Sequence, residues 1–210
     1  MNKRDYIHTI DPAANRRFLF TDVSIERRAA TEEGGEETEV IKGYFCVYNT
    51  DYKMWQGVIE RIAPGAFEGA DLSDVLALYN HEDEMLLGRS FNGEGTLQLK
   101  FDAKGGYFEV TKANTTAFND TYENIRLKNI RGCSFAFTIK EETVERDVLQ
   151  PDGTLANVYT IVKIKKVYDV GPVNNPAYVE TNVEASKRNR QAPEPKKQIS
   201  LLDLKLKSRK

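Results

Sequence analysis

Cysteine and histidine are scarce in this chain of 210 residues, two of each. Two thiols, Cys46 and Cys133, are too few for a disulfide scaffold, and their spacing matches no zinc-ligand pattern, so both are expected to be buried thiols. Histidine is as limiting: His8 lies near the N-terminus, leaving His81 as the one interior imidazole. No apolar run approaches the ~20 residues that span a bilayer. The opening Met1-Asn-Lys-Arg-Asp5 is polar and charged and has no segment resembling a secretory signal, so a cytoplasmic protein is expected. The length allows one substantial domain with tails or two small ones, and 40% apolar with 30% charged residues is an ordinary soluble composition.

The net charge of −2 conceals an uneven distribution. Glu32, Glu33, Glu36, Glu37 and Glu39 surround Gly34-Gly35, whereas residues 187–210 carry nine Lys or Arg against Glu194 and Asp203. No aromatic side chain is interleaved in that basic tail to stack on bases, so no specific nucleic-acid partner is expected. Ile199, Leu202 and Leu206 would share one helical face there, a segment suited either to docking on a partner or to being a solvated terminus.

What is plentiful is β-forming sequence. Strands are expected at Arg17–Glu26, Val40–Asn49, Val58–Ile62, Val75–Tyr79, Leu97–Phe101, Tyr107–Lys112, Ser134–Thr143 and Val158–Val170. Turns are expected at Pro64-Gly65 and Pro151-Asp152-Gly153, and a hairpin loop at Asp102–Gly106. One helix is expected between Asn114 and Asn129, because Phe118, Tyr122 and Ile125 repeat at helical spacing. Asn114 or Thr116 would cap its start, Lys128 would sit at its negative end, and Gly132 would supply the break that follows. Pro172 and Pro176 would mark the edge of the folded body. The organisation expected is a flexible segment 1–15, a mainly β domain with a few helices over 16–183, and a basic, linker-like tail over 184–210.

The most informative stretch is Arg131-Gly-Cys-Ser-Phe-Ala-Phe137. Alternation in a strand puts Cys133, Phe135 and Phe137 on a core face and Ser134, Ala136 and Thr138 on a small, polar one. Ser134, His81 and a carboxylate at Asp169, each on or beside an apolar strand, are the minimum parts of an acyl-transfer site. Cys133 is a rival nucleophile by adjacency, but parity puts it among phenylalanines, where a thiol is inert packing. The plain alternatives are a strand hydroxyl at Ser134, an imidazole bonded to Glu82, Asp83 or Glu84, and an Asp169 paired with Lys163, Lys165 or Lys166. A metal hydrolase built on His81, Asp83 and Glu84 is a weaker reading, since these residues crowd one loop.

Five short motifs occur in one order: Ile62-Ala-Pro-Gly-Ala-Phe67, Leu78-Tyr-Asn-His81, Leu87-Gly-Arg-Ser90, Gly132-Cys-Ser-Phe-Ala-Phe137, and Val167-Tyr-Asp-Val-Gly-Pro-Val173 with Pro176-Ala-Tyr178. Together they resemble the prohead serine proteases of tailed bacteriophages, over about residues 40 to 180. The resemblance implies a closed or partly open β-barrel of the herpesvirus-protease type. It also implies a serine endopeptidase that cleaves scaffolding protein, or the scaffold segment of the major capsid protein, and itself, inside the prohead in the host cytoplasm. The portal is a further candidate partner; no membrane and no cofactor are implied, and homo-oligomerisation stays open. Carried over by motif, Ser134 is the nucleophile, His81 the base and Asp169 the acid. The chain departs from the family pattern twice here, with Asp169 where glutamate is usual and Gly171 where serine is. A Ser-His-His site is disfavoured, because His8 is the only other histidine. Backbone N–H groups at Gly132 and Cys133 are the candidate oxyanion donors, with Arg89 and Arg131 as assistants whose simpler role is surface ion pairing. The alternative function is a catalytically silent assembly factor that binds scaffold or portal.

Overall fold

A computed structural model of the chain describes residues 15–19, 23–29 and 37–174. The tails expected over 1–15 (Asn15 apart) and 184–210 lie outside these residues, as do His8 and Pro176. Twelve strands and one helix make up the described part. The β-strands are β1 (Asn15–Leu19), β2 (Ser24–Arg28), β3 (Thr38–Val47), β4 (Tyr52–Trp55), β5 (Val58–Ile62), β6 (Asp74–Leu78) and β7 (Leu86–Phe91). They continue with β8 (Glu94–Gly95), β9 (Leu97–Phe101), β10 (Gly105–Thr111), β11 (Gly132–Leu149) and β12 (Leu155–Val173), with α1 (Thr116–Arg126) between β10 and β11.

The strands form two sheets. The larger runs β1-β11-β12-β6-β7-β8, with β5 beside the first half of β12 and β4 beside β5; the smaller runs β2-β3-β10-β9. No ladder joins the two among the described residues, so of the two forms expected the partly open one is present. Their facing sides enclose the core, in which Phe45, Phe108, Phe135, Phe137, Ile41 and Leu97 are fully buried. Phe135 and Phe137 stack with ring centroids 4.4 Å apart, and Phe45 lies 5.3 Å from Phe135 across the sheets. This aromatic layer fixes which side of β11 faces inward. A one-residue slip would send every side chain of the strand to the opposite face.

The stretch expected as one strand over Arg17–Glu26 is two, β1 and β2, which join different sheets: β1 pairs with β11 and β2 with β3. Local alternation cannot reveal such a switch of partner. The strands β11 and β12 are longer than their apolar runs suggested, because backbone pairing continues past the main core into a hairpin arm that is largely exposed along β11, while along β12 Ala156 and Val158 pack with Ile59 of β5 in a small second core. At its tip Asp152 accepts hydrogen bonds from the N–H (3.0 Å) and hydroxyl (2.6 Å) of Thr154, and Gly153 takes φ +80°. The helix buries Phe118, Tyr122 and Ile125, the expected stripe. Its N-cap is Thr115, whose hydroxyl accepts the Phe118 N–H at 3.2 Å, rather than either neighbour. The helix ends because Lys128 turns left-handed at φ +62°, and Gly132 belongs to β11 instead of breaking the helix. Pro172 likewise lies inside β12 rather than at the edge of the fold. Among the described residues no helix is long and apolar enough to cross a membrane.

Candidate active site

Three neighbouring strands converge on the site. Ser134 in β11 lies opposite Gly171 in β12, and two residues along Ala136 lies opposite Asp169. Asp169 in turn lies beside Leu76 of β6, which runs parallel to β12. In-register partners share a face of the sheet, so Ser134, Ala136, Gly171 and Asp169 all point away from the aromatic core. Cys133 points the other way: a Cβ placed on Gly43 of β3 would meet its Sγ at 2.7 Å, so the thiol packs between the sheets.

His81 arrives from the end of β6. Tyr79 accepts the Glu82 N–H at 3.1 Å, and the two residues between, Asn80 (φ +55°) and His81 (φ +60°), both have left-handed backbones. That pair of positive angles belongs to the tight turns of the I′ kind, which asparagine tolerates well and histidine less so. Tertiary bonds hold the turn. The Asn80 N–H donates to the Pro172 carbonyl, and Asn80 Oδ1 accepts the N–H of Asn174, each at 3.1 Å. Gly171 then makes room. A Cβ there would lie 1.9 Å from the Leu78 carbonyl oxygen, so only glycine lets the end of β6 fold this closely over β12.

The result is a continuous chain of three side chains. Asp169 Oδ1 lies 2.5 Å from His81 Nδ1, and His81 Nε2 lies 2.5 Å from Ser134 Oγ. A carboxylate can only accept, so Nδ1 carries the proton and donates it, leaving Nε2 to accept from the serine hydroxyl. All three residues are buried: Ser134 is 0%, Asp169 1% and His81 8% exposed. Asp169 Oδ2 is buried with no hydrogen-bond partner among the described residues. The competing partners lie elsewhere. Glu82, Asp83 and Glu84 are exposed; Lys163 pairs with Glu68 and Lys166 with Asp71, each at 3.3 Å. A metal site on His81, Asp83 and Glu84 does not assemble, because both imidazole nitrogens are engaged and no three potential ligands cluster among the described residues.

The two arginines have other engagements. Arg89 Nε and Nη2 hold both oxygens of Asp74 at 2.7 and 2.6 Å, and Arg131 Nε donates to the Lys128 carbonyl at 3.1 Å. Gly132 and Cys133 sit in β11 opposite Val173 and Pro172, adjoining the serine. Sequence reasoning missed Asn80 and the steric meaning of Gly171. The signal for the first was an asparagine directly before the histidine in a short polar loop, Asn80–Glu84.

A buried hydroxyl–imidazole–carboxylate chain on a β-sheet is the arrangement used by serine hydrolases. The chain belongs to the caudovirus prohead serine protease family, whose sequence profile matches residues 24–195. It is a serine peptidase of phage capsid maturation. Among solved structures it is similar to the bacteriophage T4 capsid assembly protease, at 11% identity and a TM-score of 0.40, over 75% of this chain and 98% of that one. No curated protein sequence matches it.

Proposed function

We propose that Ser134, His81 and Asp169 form the catalytic triad of this peptidase, and that its substrates are scaffolding polypeptide, or the scaffold segment of the major capsid protein, and the chain itself. The observation that carries the reading is the imidazole of His81, which bridges the other two at 2.5 Å on either side. Ser134 Oγ attacks the scissile carbonyl carbon while its proton passes to His81 Nε2. The imidazolium so formed lies against the carboxylate of Asp169, whose second oxygen is buried with no hydrogen-bond partner among the described residues. The tetrahedral adduct collapses as His81 returns the proton to the departing amine, leaving an acyl-serine. Water then repeats the sequence with the carboxylate product as the end. Backbone N–H groups at Gly132 and Cys133 are the donors nearest in sequence to the developing oxyanion, and each such donor contributes about 3 kcal/mol in related chemistry.

The test is co-expression with the major capsid protein of the same phage, followed by mass-spectrometric mapping of new termini. Ser134→Ala and His81→Ala should each lower turnover roughly 10⁶-fold, and the double variant no further, because the residues act as a unit. Asp169→Asn should cost about 10⁴-fold, since the amide holds the wrong tautomer. New termini that persist undiminished in Ser134→Ala would end the assignment. Their absence with the wild-type chain would favour the silent assembly factor.

A further inference from the structure

We propose that β1 is a displaceable guard strand: it holds the edge of β11 beside Ser134, the edge an extended polypeptide substrate takes over during catalysis. The proposal rests on Ser134 being the nucleophile.

The register carries the argument. Among the described residues β1 is the terminal strand of its sheet, five residues long and paired on one side only, with Phe18 opposite Ser134 and Leu19 opposite Cys133. It therefore occupies the one edge from which another chain can lie alongside the serine, since β12 fills the other. Without β1, that edge would present a row of unpaired N–H and C=O groups, the template on which extended peptides add as a strand.

Backbone alternation shows what β1 covers. The Pro172 carbonyl accepts from Asn80, on the β6 side. Alternation then turns the polar backbone groups of Gly171 toward Ser134, and those of Cys133 and Phe135 toward β1. Leu19 and Arg17 are their partners in register. The N–H of Cys133, a candidate oxyanion donor, is thus engaged by β1. The same alternation turns the N–H groups of Arg16 and Phe18 away from β11.

Two further observations agree. Ser134 is 0% exposed, so a polypeptide cannot meet it until something moves. The family profile matches residues 24–195, so β1 precedes the matched segment. A short, one-sided edge strand is also the element that detaches at the smallest free-energy cost.

The experiment uses the full chain and a fluorophosphonate probe, with the rate of covalent labelling followed by intact mass and folding by circular dichroism. Arg17→Pro and Leu19→Pro each delete an N–H directed at β11, while Arg16→Pro and Phe18→Pro delete one directed away from it, where an edge strand tolerates proline. The inward pair should label about tenfold faster than the wild-type chain, the gain expected from removing one ladder bond from the closed state. The outward pair should label near the wild-type rate. Equal rates in all five chains, or acceleration shared by the outward pair, would overturn the guard. So would unfolding of both inward variants, since a strand that can leave must do so without collapsing the rest. Labelling that survives Ser134→Ala, or none in any folded variant, would instead sink the nucleophile assignment itself.

Discussion

At position 171 the absence of one methyl group decides how near the β6 turn comes to β12. Glycine admits the Leu78 carbonyl to a point 1.9 Å from where a Cβ would be, and that approach brings His81 between a serine and a short carboxylate. The two positions where the motif resemblance implies other residues, glutamate at 169 and serine at 171, meet here. Aspartate at 169 extends one methylene less than glutamate, and a glycine at 171 lets the imidazole come closer to it. Asp169→Glu and Gly171→Ser should each lower kcat/KM by about 100-fold, the usual cost of displacing a reacting group by an ångström. The double variant should lose less than the product of the two, a coupling that a double-mutant cycle measures directly. Strict multiplicativity would mean the substitutions are independent. Cys133→Ala, by contrast, should leave kcat unchanged and lower stability by about 1 kcal/mol, because the thiol packs against β3, on the face away from His81.

Among the elements, the turn at Tyr79–Glu82 carries the most consequence for the proposed triad, because it presents His81. Two adjacent left-handed residues are costly for side chains with a Cβ, and asparagine is the least penalised after glycine. Asn80→Gly should therefore keep most of the activity despite losing the bond to Asn174, whereas Asn80→Val should reduce kcat by about 100-fold through displacement of His81. Equal activity in the two variants would show that the backbone angle at 80 is not what positions the imidazole. The long strands β11 and β12 play the complementary part. Their pairing sets Ser134 and Asp169 on one face at a fixed offset, and the aromatic layer beneath makes slippage prohibitive.

Across the whole molecule, acid should weaken the fold through the smaller sheet. Hydrogen bonds from Arg28 and Lys42 hold the Glu26 carboxyl down at about 2, from an ordinary 4.5. Burial works to raise Glu109, but its hydrogen bonds from Arg28 and Lys100 outweigh it, and the net direction is downward; Glu39 is lowered by Lys112. Carboxyls depressed in the folded state release protons that the unfolded chain holds, so their stabilisation is complete above about 4.5 and disappears as pH falls toward about 2. The thermal midpoint should drop steadily across that window, and Glu26→Gln should flatten the drop. A midpoint independent of pH there would remove these pairs from the account. Much of this molecule was legible in the chain itself: a mainly β body, one helix with its buried stripe, and the parity that separates Ser134 from Cys133. Those follow from periodicity and side-chain chemistry, which act between near neighbours. The union of residues 81, 134 and 169 was decided in three dimensions, as were the division of residues 15–28 between two sheets, the cap at Thr115 and the closure of the β11 edge by β1. Each depends on which distant strand lies alongside, and backbone hydrogen bonds between strands carry no record of their partner in the local sequence.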